Sequence, residues 1–136
     1  MTITASVAHV LIVEDDDAWR RTTRELVEKL GCSVTTVSTG EDALVAITEA
    51  EFQLVLLDLG LPTMTGMATL RELRARAPRL PLIVLTAFAD AVIGDAVLRR
   101  GATAMVAKEH AAKDLPAAVA RALGMPTSPS QSALPR

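Results

Sequence analysis

Three acidic side chains, a hydroxyl and an ammonium follow short apolar runs in this 136-residue chain. Glu14 and Asp15 come after the first run, Asp58 after the third, Thr86 after the fourth and Lys108 after the fifth. Clustered carboxylates supply the hard oxygen ligands that Mg²⁺ requires, with water completing an octahedron. Without the ion, mutual repulsion should raise the pKa of at least one of these acids.

Asp58 lies in the stretch LVLLDLGLPTMTG, where the apolar run breaks into Gly and Pro soon after the acid. A carboxylate can attack phosphorus to form an acyl phosphate, so Asp58 is the natural nucleophile of the set. The Lys108 ammonium and the Thr86 hydroxyl can each hold a phosphoryl oxygen, and phosphoryl transfer depends mainly on such preorganised charge. Gly60 lets the backbone come close, so its carbonyl could be a further metal ligand.

The elements that position these side chains are short apolar runs that alternate with longer segments of helical period. The runs at 10–13, 54–57 and 82–85 are apolar without alternation, as expected of parallel strands covered on both faces. The run at 33–37 places two threonines between its valines, which favours an edge strand. A last run, at 103–107, completes five strand–helix units.

This alternation predicts an α/β fold with right-handed crossovers, in which a doubly wound five-stranded parallel sheet has helices on both faces. Such sheets bind ligands beyond the carboxyl ends of their strands, where the strand order reverses. We therefore expect the three acids, the hydroxyl and the ammonium to converge on one edge of the sheet.

Several residues are assigned structural roles in the helices. Trp19 is spaced to lie on the core face of a first helix that opens at Asp16 or Asp17. Asp114 is the expected N-cap of the last helix, with Pro116 in its first turn. A basic set is interpreted as a solvated helix face and consists of Arg71, Arg74, Arg76 and Arg79.

Composition excludes several classes of function. Fourteen basic and sixteen acidic side chains give a net charge of -2, which offers no attraction toward nucleic acid or an anionic membrane. The single cysteine, Cys32, cannot form an internal disulfide, and this favours a reducing compartment. The first residues lack a basic region, and their apolar run is too short for a signal peptide or an anchor. We therefore expect a cytoplasmic protein without direct nucleic-acid binding.

Four stretches resemble the receiver domain of two-component response regulators. They are VLIVEDDDAWR, LVLLDLGLPTMTGMATLRELR, LIVLTA and GATAMVAKEHAAKDL. The likeness covers 9–123, leaving an N-terminal extension at 1–8 and a tail at 124–136 that is either disordered or a truncated linker. It implies the (βα)5 flavodoxin-like receiver fold with strand order 2-1-3-4-5.

The resemblance also implies a role for each residue at the strand ends. The implied roles are Mg²⁺ ligation for Glu14, Asp15, Asp58 and the Gly60 carbonyl, phosphoryl acceptance for Asp58, and phosphate sensing for Thr86 and Lys108. The implied function is a signalling switch that is phosphorylated by a sensor histidine kinase, a histidine phosphotransfer protein or a small phosphodonor. Its only enzymatic activities would be self-phosphorylation and self-dephosphorylation. Its partner would be a downstream protein or a missing output domain, and a phosphorylation-dependent homodimer stays open.

Two departures distinguish this chain from many receivers. Glu109 follows Lys108 where proline is frequent, which resembles receivers of the nitrate-regulator type. Met105 occupies the position where many receivers carry Tyr, Phe or His, and we expect its flexible thioether to bring two packings close in energy. The alternatives are a phosphorylation-independent scaffold and an aspartyl-nucleophile phosphatase. Phosphatases that resemble the haloacid dehalogenases carry a second Asp two residues after the nucleophile, where this chain has Gly60.

Overall fold

Strands and helices alternate along the whole of the described chain. The computed structural model describes residues 7–61 and 64–125. The strands are β1 (His9–Val13), β2 (Ser33–Val37), β3 (Leu54–Asp58), β4 (Leu82–Thr86) and β5 (Ala104–Ala107). The helices are α1 (Asp17–Glu28), α2 (Gly40–Glu49), α3 (Gly66–Arg76), α4 (Ala91–Arg99) and α5 (Ala111–Ala122), with a short 3-10 helix (Lys108–His110) before α5.

The five strands form one parallel sheet in the order β2-β1-β3-β4-β5. The predicted fold class and strand order are therefore confirmed. The order reverses beside β1, which lies between β2 and β3. The register pairs Val13 of β1 with Leu57 of β3. Because Glu14 and Asp58 each follow a member of that pair, both acids emerge at the carboxyl edge of the sheet, at the reversal point.

Alternate strand residues enter two hydrophobic cores, one on each face of the sheet. The core beneath α2, α3 and α4 contains Leu11, Val13, Val55, Leu57 and Val84. The core beneath α1 and α5 contains Val10, Ile12, Leu54, Leu56 and Ile83. These central strands are buried on both sides, which explains why their sequences are apolar without alternation. Within the described ranges, no helix combines the length and the apolar composition needed to cross a bilayer.

The N-terminal end of α1 fixes the loop that carries Glu14 and Asp15. Asp16 is the N-cap residue, and its carboxylate accepts a hydrogen bond of 2.8 Å from the Trp19 backbone N–H. This arrangement agrees with the predicted start of the first helix. It also fixes the position of Trp19 relative to the acids, because only one turn of helix separates them.

The start of α5 differs from the prediction. Asp114 is not the N-cap, since the helix begins at Ala111 and Asp114 lies inside its first turn. The 3-10 helix continues directly into α5, so helical structure starts several residues before Asp114, the residue that was predicted to cap it. Pro116 is consequently the sixth residue of the helix, where its missing N–H leaves the Ala112 carbonyl without the usual intrahelical donor.

Arg74 is not part of a solvated face. Its guanidinium is half-buried, and Nε and Nη2 donate to the Gly101 carbonyl at 3.0 and 2.6 Å. Nη1 donates to the carbonyls of Ala77 and Leu80 at 2.9 and 2.7 Å. Burial lowers the pKa of Arg74. The other three arginines of the set are exposed, as predicted, so only Arg74 ties the end of α3 to the turn between α4 and β5.

Candidate functional site

Glu14, Asp15 and Asp58 form a cluster of carboxylates at the carboxyl edge of the sheet. One oxygen from each lies within 4.8 Å of the others. Glu14 and Asp58 are buried, whereas Asp15 is exposed, so the cluster opens to solvent on the Asp15 side. The structure therefore brings together the three acids that the sequence predicted to meet, although Asp58 is more than forty residues from Glu14 and Asp15 in the chain.

Glu14 is the most perturbed group of the cluster. It is only 2% exposed, and burial raises its pKa to about 7, with a further rise from the negative charge of Asp58. The Lys108 ammonium opposes this rise. A raised pKa was expected from repulsion between the acids, but the larger cause is desolvation.

Lys108 follows β5 directly and points its ammonium into the cluster. Its Nζ lies 2.7 Å from Glu14 Oε1 and 3.5 Å from Asp58 Oδ1. The same nitrogen lies 5.1 Å from the centroid of the Trp19 ring, within the range of a cation–π interaction. Sequence reasoning placed Trp19 in the core and missed this contact. The contact could have been predicted from the position of Trp19 in the first turn of α1, just after the acids.

Thr86 is the last residue of β4, the strand that pairs with the Asp58-bearing β3, and it is buried. Its hydroxyl accepts a hydrogen bond of 3.1 Å from the Phe88 backbone N–H. A threonine hydroxyl has one donor and two acceptor positions, so this bond leaves the proton available to another oxygen. The hydroxyl thus connects the carboxyl edge of the sheet with the segment that leads to α4.

Two glycines shape the chain around Asp58. A Cβ on Gly60 would lie 3.6 Å from Asp58 Oδ2, so the Gly60 backbone passes beside the carboxylate, as predicted. A Cβ on Gly66 would lie 2.2 Å from Leu59 Cα and 2.6 Å from the Asp58 carbonyl. Only glycine fits at that distance, and the Gly66 N–H donates to the Leu59 carbonyl at 3.1 Å. The start of α3 therefore packs directly on the strand end that carries Asp58.

The Arg20 side chain bonds to the backbone of the loop between β1 and α1. Its Nη1 donates to the backbone carbonyls of Glu14 at 3.0 Å and Asp15 at 3.3 Å, and Nη2 pairs with the Asp17 carboxylate. Sequence reasoning did not single out Arg20. The contact depends on the helix turning the side chain back over the loop, which residue type alone does not indicate.

The cluster fits a divalent cation that binds hard oxygen ligands. Glu14, Asp15 and Asp58 are the residues that would hold it, and all three offer carboxylate oxygens. Among the described residues, Glu14 Oε1 is buried without a hydrogen-bond donor, and its nearest cation is the Lys108 ammonium, with which it forms an ion pair at 2.7 Å. A buried oxygen without a hydrogen-bond donor is a natural ligand for a cation.

Comparison with known families decides what kind of domain this is. Residues 10–120 match the family model of the response regulator receiver domain. The chain is a receiver domain of two-component systems. The narrower likeness to nitrate-regulator-type receivers stays a prediction.

Solved structures and characterised proteins agree with this receiver assignment. Chemotaxis protein CheY4 of Vibrio cholerae superposes with a TM-score of 0.81 at 25% identity, covering 87% of this chain and 100% of that one. A CheY-like receiver domain protein of Methanospirillum hungatei superposes with a TM-score of 0.81 at 29% identity, covering 88% of this chain and 95% of that one.

Relatives in sequence are longer proteins. Transcriptional regulatory protein ZraR of Salmonella typhimurium is 34% identical over 93 residues, which are 68% of this chain and 21% of that protein. Aerobic respiration control sensor protein ArcB of Escherichia coli is 46% identical over 82 residues, which are 58% of this chain and 10% of that protein. The matched part of this chain thus spans about a fifth of ZraR and a tenth of ArcB.

Proposed function

We propose that this receiver domain is a phosphorylation-dependent signalling switch whose acceptor is Asp58. The observation that carries the proposal is the position of the Asp58 carboxylate, which is buried between two further acids and lies 3.5 Å from the Lys108 ammonium. Burying a carboxylate with like charges is costly unless cations compensate it. A site built in this way suits a reaction that uses the carboxylate as a nucleophile.

The proposed reaction forms an acyl phosphate on Asp58. A carboxylate oxygen attacks phosphorus and forms the new O–P bond, while the bond from phosphorus to the donor breaks and its electron pair leaves with the donor. The donor would be the phosphohistidine of a sensor kinase or phosphotransfer protein, or a small acyl phosphate. Bound Mg²⁺ would neutralise negative charge on the carboxylates and on the incoming phosphoryl group.

Lys108 and Thr86 would hold the phosphoryl oxygens. The Lys108 ammonium already lies at the cluster, and the Thr86 hydroxyl keeps a free proton while it accepts from the Phe88 N–H. If the Thr86 side chain turns toward Asp58 to donate that proton to a phosphoryl oxygen, its oxygen moves and its bond to the Phe88 N–H changes. Phosphorylation would therefore be transmitted to the segment ahead of α4.

The output of the switch would be a change in partner preference at α4, β5 and α5. Phe88 and Val92, at the start of this surface, are 78% and 77% exposed, unusually high for large apolar residues. The partner would be a downstream protein or an output domain of a longer chain. We further propose that the domain acts in the cytoplasm without binding nucleic acid, and that self-phosphorylation and self-dephosphorylation are its only enzymatic activities.

Intact mass after incubation with acetyl phosphate tests the proposal. The wild-type protein should gain one phosphoryl group only when Mg²⁺ is present, and Asp58→Asn should gain none. Asp114→Asn is the matched control, because it removes an exposed carboxylate that is not part of the cluster. Equal labelling of Asp58→Asn would contradict the assignment, because the acceptor would then be another residue. No labelling of the wild-type protein would favour a phosphorylation-independent scaffold.

A further inference from the structure

The ammonium of Lys108 is held by groups of two different kinds. Among the residues that the structure describes, its charged partners are Glu14, 2.7 Å away, and Asp58, 3.5 Å away. The third neighbour is the face of the Trp19 indole, with 5.1 Å between Nζ and the ring centroid. The Lys108 side chain is only 9% exposed, so water has little access to the ammonium.

The two kinds of partner act differently on the ammonium. A carboxylate neutralises the positive charge and competes for its N–H groups, and Glu14 lies closer to the ammonium than Asp58 does. An aromatic face attracts the cation through the ring quadrupole and leaves its N–H groups available to oxygen acceptors. A lysine that must donate to a phosphoryl oxygen therefore gains from a neighbour that orients it without consuming its donors.

Trp19 is itself fixed in place. Its backbone N–H is tied to the Asp16 carboxylate at the helix start, and its ring packs against the core beneath α1 and α5. A lysine side chain, by contrast, has four rotatable bonds and loses much rotamer freedom when it is ordered. The fixed indole face restricts where the ammonium can go.

We propose that Trp19 is a positioning residue for phosphoryl transfer, which holds the Lys108 ammonium at the Asp58 side of the site through its indole face. The inference rests on the proposed role of Asp58 as acceptor. Trp19 does not touch the reacting atoms and acts only through Lys108. Its loss should slow phosphorylation without abolishing it.

NMR of the lysine side chains tests the contact directly. The chain has three lysines, and the other two, Lys29 and Lys113, are exposed, so lysine-labelled protein gives a simple spectrum with two internal references. Protons above an aromatic ring are shifted upfield by its ring current. We expect the Lys108 ε-CH₂ signal to be shifted upfield in the wild type, to lose that shift in Trp19→Leu and to keep part of it in Trp19→Phe.

The rate of labelling by acetyl phosphate at saturating Mg²⁺ tests the consequence. Trp19→Leu should label about threefold to tenfold more slowly, the size expected from a cation–π contact, and Trp19→Phe should lie between it and the wild type. Leu26→Ala is the matched control, since it weakens the packing of α1 on the same core without contacting Lys108. It should label at the wild-type rate.

The outcomes separate this inference from the function on which it rests. Wild-type rates in Trp19→Leu, or an unshifted Lys108 signal in the wild type, would overturn the role of Trp19 while Asp58-dependent labelling stands. Equal slowing in Leu26→Ala would also overturn it, because general loosening of α1 would then explain the effect. Labelling that persists in Asp58→Asn would instead overturn the acceptor assignment.

Discussion

At the residue scale, the site is defined by how each side chain is buried. Residue type and strand-end position were enough to predict Glu14, Asp15, Asp58, Thr86 and Lys108 at one edge of the sheet. The contacts of Trp19 and Arg20 could not be predicted in this way, because they depend on how the first turn of α1 lies over the loop before it. Type and order in the sequence indicate which groups converge, but not which neighbours hold them.

The pH dependence of stability should report on Glu14. Its pKa is about 7 in the folded protein against an ordinary value of 4.5, so the folded state binds the proton more tightly than the unfolded state. In metal-free protein, the contribution of Glu14 to the free energy of unfolding should therefore fall as pH rises from about 4.5 to about 7. Urea denaturation in EDTA should show Glu14→Gln stabilised by about 1–2 kcal/mol at pH 8 and not at pH 4.

The matched control for that measurement is Glu25→Gln, which changes an exposed glutamate on α1. It should leave the pH dependence as in the wild type. If Glu14→Gln lowered the stability at pH 8, the desolvation of Glu14 would be smaller than its attraction to Lys108.

Arg20 should control the affinity of the acidic cluster for Mg²⁺ through the loop that it holds. Arg20→Lys keeps the positive charge but loses the guanidinium group whose Nη1 donates to both the Glu14 and the Asp15 carbonyls. We expect the Mg²⁺ dissociation constant, measured by calorimetry, to rise by roughly fivefold, the equivalent of one net hydrogen bond. Arg21→Lys changes the exposed neighbouring arginine and should leave the affinity unchanged. Equal effects of both variants would show that the loop contact is irrelevant.

At the element scale, sequence patterns identified each strand and helix but not every boundary. The start of α1 was predicted because Asp16 caps it directly. The start of α5 was placed too late, because the 3-10 helix after Lys108 leads straight into it and no capping side chain marks the junction. The Met105 side chain, which was expected to be flexible, packs against Gly94 of α4 in the structure. A Cβ on Gly94 would lie 3.0 Å from Met105 Cε.

The Gly94–Met105 contact predicts a coupled effect on stability. An alanine in place of a helix-interior glycine stabilises a helix by about 1 kcal/mol, but here the Met105 methyl must move to admit the new Cβ. Gly94→Ala alone should therefore change the free energy of unfolding little. In the background of Met105→Ala, the same change should stabilise by about 1 kcal/mol, as measured in a double-mutant cycle. Additive effects would show that the two residues do not restrict each other.

At the scale of the whole molecule, the fold followed from alternating apolar and amphipathic segments, and the strand order from the family resemblance. Long-range polar contacts escaped this reasoning. Arg74 was interpreted as solvated because it is one of several arginines on α3, yet it alone turns inward to reach the carbonyls of Gly101 and Leu80. Gly101 has a φ of +103°, and a Cβ at this position would lie 2.8 Å from Arg74 Nε, so the contact requires a glycine there. No local pattern relates these two segments.

Arg74→Met should test the importance of that connection. It removes every hydrogen bond from the guanidinium and leaves the three carbonyls without this donor, so we expect a loss of about 2 kcal/mol in the free energy of unfolding. Arg71→Met, an exposed position on the same helix, should cost less than about 0.5 kcal/mol. Similar losses in both variants would mean that the Arg74 contacts contribute little.

The central claim is that Asp58 accepts a phosphoryl group, and reductive trapping of the acyl phosphate tests it most directly. Borohydride reduces an acyl phosphate, but not a free carboxylate, to an alcohol, so peptide mass mapping identifies the residue that carried the phosphoryl group. After acetyl phosphate and Mg²⁺, we predict that reduction occurs at Asp58 and disappears when Mg²⁺ is withheld. Reduction at another carboxylate, or none in a protein that has gained the mass of a phosphoryl group, would contradict the account.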